Sequence, residues 1–77
     1  MANDGIEREV LKELKKRLVM KREEIAEFVE KFDPSYKYSI DSVIRELNSK
    51  GMITYVMMIG RNCLAITQKG MRAIEET

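Results

Sequence analysis

The chain has 77 residues, 44% of them apolar, and a formal net charge of +1, which describes one small domain near the lower limit at which a single core sustains folding without staples. It has no histidine and one cysteine, Cys63, so neither an intrachain disulfide nor a Cys/His zinc site can be built. No apolar run approaches the roughly 20 residues of a membrane helix, and the N-terminus lacks the charged-then-apolar order of a secretory signal; a cytoplasmic location is expected.

The charges are sorted along the chain. Residues 1–7 carry −2, 8–22 carry +5, 23–33 carry −4, 34–72 carry +4 and 73–77 carry −2. A surface sorted in this way can attract a polyanion on one side although the total is near zero. No internal repeat, low-complexity tract or linker divides residues 1–77, and the one proline, Pro34, breaks the helical pattern within FDPSYKYS.

Asp4 and Glu7 have capping-box spacing, and a first helix is expected from near Asp4 to about Leu18. At 100° per residue Ile6, Val10, Leu11, Leu14 and Leu18 share one side, the predicted core stripe. Arg8, Lys12, Lys15 and Lys16 gather on a neighbouring arc, which is either a solvated lysine face or a phosphate contact, since like charges at i, i+4 oppose one another unless something compensates. The next helix, KREEIAEFVEKF, turns Ile25, Phe28, Val29 and Phe32 inward and Glu23, Glu27 and Glu30 outward. Lys21 and Arg22 stand at its start, where free backbone N–H groups can join them in holding a phosphate, or where they are simply solvated.

A third helix is expected to start between Ser35 and Ser39, with Ser35 as its N-cap, and to end at Lys50 with Gly51 as the left-handed terminal residue. Ile40, Val43, Ile44 and Leu47 form its inward stripe. Opposite lie Tyr38, Asp41, Ser42, Arg45 and Ser49, with Lys37 at the margin and Ser39 at the head. These donors, acceptors and an aromatic suit base edges in a major groove: Arg45 for guanine O6 and N7, Ser42 for any base, Asp41 for cytosine N4. Asp41 and Glu46 count against this, because carboxylates near phosphates repel unless each finds a partner.

From Met52 to Met58 the order is strand-like, Ile59-Gly60-Arg61-Asn62 reads as a turn, and Cys63 to Ile66 return. Arg61 at the tip is the candidate for a phosphate or minor groove, with Asn62 beside it, while Cys63 reads as a small hydrophobe in a strand. Met57 and Met58 point to opposite faces, so at least one is expected outside the main core. Thr67 is the expected N-cap of a last short helix, QKGMRAIEE, with Met71 and Ile74 facing inward or toward a partner.

The order helix, helix, helix, hairpin, with the phrases EEIAEFV, VIRELNSKGMI and LAITQKGMRAI, resembles the winged helix-turn-helix family of DNA-binding regulators. In that family an "EIA" helix precedes the recognition helix, an "LxxxGLI"-type ending closes it, and an "LT-x-x-G" phrase follows the wing; here these are Glu24-Ile25-Ala26, Leu47 to Ile53, and Ile66 to Gly70. The resemblance covers nearly the whole chain and implies an α+β winged helix: a three-helix core, a two-stranded hairpin wing and a short C-terminal helix. It further implies that Tyr36 to Arg45 reads the groove and Ile59 to Asn62 forms the wing. The compact size is similar to small archaeal, viral or plasmid-encoded members. The turn KFDPSYKYS is longer than the family's usual tight one.

The leading expectation is therefore a sequence-specific regulator of transcription that binds double-stranded DNA as a homodimer, with no cofactor and no small-molecule ligand. A protein-interaction module within a larger assembly is the alternative. An enzyme is not expected, since the sequence offers no nucleophile–base pair, no glycine-rich phosphate cradle and no metal-ligand cluster.

Overall fold

In the computed structural model, which describes residues 4–36 and 39–75, helix α1 (Asp4–Arg17) is followed by strand β1 (Val19–Met20), helix α2 (Arg22–Phe32), helix α3 (Ile40–Ser49), strand β2 (Ile53–Met58), strand β3 (Arg61–Ile66) and helix α4 (Gln68–Glu75). The described residues form an α+β fold in which four helices accompany one antiparallel sheet of order β1-β3-β2. Its single core draws Ile6, Val10, Leu11 and Leu14 from α1, Ile25 and Val29 from α2, Val43, Ile44 and Leu47 from α3, and Met20, Ile53, Leu64 and Ile66 from the sheet. Each such side chain contributes roughly 1.5–3 kcal/mol on leaving water.

The amphipathic stripe of α1 ends one residue earlier than its periodicity suggests. Leu18, expected in the core, has φ +79° and is 67% exposed. Its N–H still closes the helix on the Leu14 carbonyl at 2.7 Å, but the left-handed backbone turns the chain so that Val19 pairs with Ala65 and Met20 with Leu64. Met20 is the residue this turn delivers to the core, at 1% exposure. Asp4 is already helical, and Glu7, expected to share a capping box with it, is buried with its carboxylate on Lys50 Nζ at 2.9 Å. That ion pair ties the first turn of α1 to the end of α3, and without it a buried carboxylate would stand unpaired.

At the start of α2 the Glu24 carboxylate accepts the Lys21 backbone N–H at 2.8 Å, half of a capping box. Phe28 packs against the core. Phe32, expected to point inward, is exposed and stacks on Phe28 with ring centroids 6.1 Å apart. Ser35 is not the cap of α3: its N–H and hydroxyl both donate to Asp33 Oδ1, at 3.2 and 2.7 Å, in an Asx turn. The cap is Ser39, whose Oγ accepts from the Asp41 N–H at 3.1 Å. Tyr36, expected to head the groove-reading segment, packs against the core instead.

Helix α3 ends as the sequence predicts, on Gly51 at φ +76°. The Met52 N–H donates to the Leu47 carbonyl (3.0 Å) and the Gly51 N–H to the Asn48 carbonyl (2.9 Å), which is the Schellman pattern. The hairpin is tighter than expected. Met58 pairs with Arg61, leaving a two-residue turn of Ile59 (φ +51°) and Gly60 (φ +73°), the type I′ arrangement. Arg61 and Asn62 are strand residues, not turn residues. The turn tip is Ile59, 98% exposed.

Thr67 caps α4 by accepting the Gly70 N–H on Oγ1 at 3.1 Å, and its hydroxyl donates to the Gly51 carbonyl at 2.7 Å. Gly70 is buried because α4 crosses directly over the corner between α3 and β2: a Cβ there would collide with the Met52 carbonyl and lie 2.8 Å from Ile66 Cγ1. Met71 and Ile74 pack inward against the core.

Gly70→Ala is expected to lower stability by about 1–3 kcal/mol through this overpacking, whereas Gly5→Ala, with open space around the added carbon, leaves stability unchanged or raises it by up to about 1 kcal/mol. Urea unfolding midpoints check the pair. A second stability effect runs the other way: a β-branched residue at positive φ costs roughly 1–2 kcal/mol, so Ile59→Asn is expected to raise stability by about 1 kcal/mol, or some 4–8 °C in Tm. A Tm that falls would show that Ile59 makes contacts its exposure hides.

Candidate nucleic-acid interface

The exposed side of α3 does not face open solvent alone. It borders the sheet across a shallow groove of about 620 Å³, lined by Arg22, Asp41, Ile44, Arg45, Asn48, Ser49, Tyr55, Asn62 and Leu64. The placement follows from three local facts. The periodicity that buries Val43, Ile44 and Leu47 turns Asp41, Arg45, Asn48 and Ser49 outward. The Schellman corner at Gly51 brings β2 back beside α3. Cross-strand partners share a face, so Tyr55 lies with Leu64, and Met57 with Asn62, on the side of the sheet that carries the core residues Ile53 and Ile66.

Within this groove the charges are organised. Arg22, the first residue of α2, reaches the first turn of α3 and donates from Nε to Asp41 Oδ1 at 2.6 Å. Both side chains remain more than half exposed. The bond from Arg22 holds the Asp41 carboxyl below its ordinary range against a smaller opposing effect of desolvation, and the positive charges of Arg22 and then Arg45 add to the lowering. The same bond and charge raise the Arg22 guanidinium. The second carboxylate of α3, Glu46, lies 4.0 Å from Lys50 Nζ. Each acid that weighed against a polyanion partner therefore has a base beside it, and the groove lining carries two arginines against one aspartate.

The remaining residues expected at an interface fall into three groups. Ser39 is exposed, but its hydroxyl is spent on the α3 cap, and Ser42 is half-buried one residue beyond Asp41. Lys37 and Tyr38 lie outside the described residues. The α1 bases are not gathered at the groove: Lys12 pairs with Glu9 at 3.5 Å, Lys15 pairs with Glu75 of α4 at 3.2 Å, and Lys16 is exposed without an ion-pair partner among the described residues.

Arg61 and Asn62, grouped in the sequence reading as one turn, point to opposite faces of β3. Asn62 borders the α3 groove. Arg61 joins Lys21, Val19, Met58, Ile59 and Cys63 around a second hollow of about 450 Å³. Asn48 and Tyr55 line the groove and were missed. Asn48 sits three residues beyond Arg45, on the same helical flank, and could have been found from that spacing; Tyr55 depends on the strand register, which the sequence does not print.

Among the described residues there is no group of three or more His, Cys, Asp or Glu side chains placed to hold a metal ion, and no helix long and apolar enough to cross a membrane. No family model, curated protein or solved structure matches the chain.

Because Asp41 is held below its ordinary value, the stability its ion pair contributes is present above the unfolded-state pKa of about 3.9 and is lost as pH falls through the lower folded value. Titration of the Asp41 carboxyl carbon by NMR is expected to give a midpoint below 3.9 that moves up toward it in Arg22→Gln. An unchanged midpoint in that variant would mean the pair is not held in solution.

Proposed function

We propose that this chain is a winged helix-turn-helix protein that binds double-stranded DNA sequence-specifically and regulates transcription, with α3 in the major groove and the β2–β3 hairpin on the backbone or minor groove. The observation that carries the reading is the α3 flank itself: Arg45, Asn48 and Ser49 stand exposed beside the hairpin, and the one aspartate among them is matched by Arg22. Arginine, asparagine and serine are the side chains that read guanine, adenine and mixed edges respectively. The order α1-β1-α2-α3-β2-β3-α4, with β1 added to the far side of β3, is compatible with a winged helix and supports the reading of the phrases noted in the sequence.

In this reading the hairpin has two functions on its two faces. Asn62 shares the α3 side, and Arg61, facing away, meets phosphate from the flank. A homodimer on a two-fold site fits a module of this size, because a single one buries only about 600–1,000 Å² against DNA. The α1 lysines, engaged with Glu9 and Glu75 or lying away from the groove, supply at most a general attraction.

A second reading, a protein-interaction module in a larger assembly, is favoured by the apolar hairpin tip, where Met57 is 68% and Ile59 98% exposed. It predicts weak binding that is indifferent to duplex sequence.

Selection from random duplexes at two salt concentrations, followed by gel-shift titration of variants, separates the two. Arg45→Ala is expected to cost about 1–3 kcal/mol of binding and to relax the preference at one base position, whereas Arg61→Ala weakens all sequences alike and flattens the salt slope by about one. If Arg45→Ala leaves affinity untouched, α3 is not the reading helix and the interaction module takes precedence.

A further inference from the structure

Resting on the DNA-binding reading, we infer that Arg22 and Asp41 act as one reading unit for a C·G base pair, with Asp41 accepting from cytosine and a guanidinium beside it donating to guanine. The two residues come from different helices, and their ion pair sits at the lip of the α3 groove, exposed on both sides. One bond between Nε and Oδ1 at 2.6 Å leaves much of the capacity of both groups in hand, since a guanidinium has five donors and a carboxylate about four acceptor positions.

The fit is geometric. In a salt bridge an acceptor and a donor stand one hydrogen-bond length apart. Across the major-groove edge of a C·G pair, the cytosine N4 amine and the guanine O6 also stand one hydrogen-bond length apart, because they are bonded to each other, at about 2.9 Å. An ion pair laid against that edge meets a donor with its carboxylate and an acceptor with its guanidinium. The next position along the edge is guanine N7, a second acceptor for the same guanidinium. An A·T pair also offers an amine beside a carbonyl, N6 beside O4, but the next position there is the thymine methyl, which a guanidinium nitrogen cannot bond. The preference for C·G follows.

Arg45, four residues beyond Asp41 and close enough to depress its carboxyl, brackets the aspartate with a second positive charge. The unit therefore approaches phosphates with net charge +1, and its carboxylate is not a barrier to docking. Arg22 is accordingly a positioning residue for Asp41 as well as a donor. Neither role is available to Lys21 beside it, which carries no bond to α3.

The test uses the full chain and duplexes selected from a random pool, with Asp41→Asn, Arg22→Gln and the unaltered protein compared by selection and by gel shift. Because the pair is exposed, the folded fraction by circular dichroism is expected to be unchanged in both variants. The unaltered protein is expected to select a motif containing a C·G column; changing that pair to A·T weakens it roughly tenfold, and in both variants the penalty at that column shrinks severalfold while the other columns persist. Two results overturn the inference while leaving the DNA-binding reading intact: a motif whose columns are all unchanged in Asp41→Asn, and an Asp41→Asn protein that binds every duplex more tightly with the same motif, which would make the aspartate only a repulsive charge. If the unaltered protein retains no duplex even at low salt, the DNA-binding reading falls, and this inference with it.

Discussion

The corner at Gly51 and Met52 is the point on which the arrangement depends. Four connections converge there. The end of α3 closes on Gly51 through the Schellman bonds, the Met52 carbonyl accepts the Thr67 N–H at 3.0 Å, the Gly51 carbonyl accepts the Thr67 hydroxyl, and Gly70 lets α4 lie directly on the Met52 backbone. Each bond on its own contributes about 0.5–1.5 kcal/mol net. Their joint effect is geometric: they fix the direction in which β2 leaves α3, and with it the width of the groove between the helix and the sheet.

That direction decides which side chains can act together. Arg45, Asn48 and Ser49 would be ordinary surface residues on an isolated helix. With β2 turned back alongside, they share a groove with Tyr55 and Asn62. The Glu7–Lys50 ion pair braces the same region from the other side, anchoring the last residue of the α3 cap to α1. A small domain has few layers with which to stiffen a site, and here the stiffening comes from backbone bonds and one buried carboxylate concentrated at one junction.

Much of this was legible in the sequence, and the failures have identifiable causes. The four helices and the hairpin follow from 3.6-residue and two-residue periodicities, and the end of α3 and the start of α4 from Gly51 and Thr67, whose chemistry is local. What escaped was non-local or too short for a period. Strand β1 is two residues long and exists because Leu18 adopts a left-handed conformation that leucine does not advertise. Ser35 and Ser39 both have the chemistry of an α3 cap, and the choice between them turns on Asp33 engaging Ser35. Asn62 is a common turn former and suggests a four-residue turn, but the strand register makes it two. Within the candidate site the spacing along α3 gives Asp41, Arg45 and Ser49, and would give Asn48 as well, but Tyr55 and the Arg22–Asp41 pair depend on how separate elements are brought together.

The separation of Arg61 from Asn62 bears on how any polyanion would be held. The net charge of +1, with five bases engaged by Glu7, Glu9, Glu13, Glu75 and Asp41 among the described residues, limits the excess positive charge that a polyanion would meet. Each phosphate contact adds about 0.9 to the salt slope for duplex DNA and a matching share of nonspecific affinity, so on the proposed DNA-binding reading the sequence-indifferent component would be modest. A duplex ligand would then be retained through short-range contacts at the α3 groove, where hydrogen-bond geometry discriminates between bases, and not through a basic surface that attracts all sequences alike. The same charge balance that makes the chain look unlike a nucleic-acid binder in composition is, on this reading, what lets a few groove contacts determine the outcome.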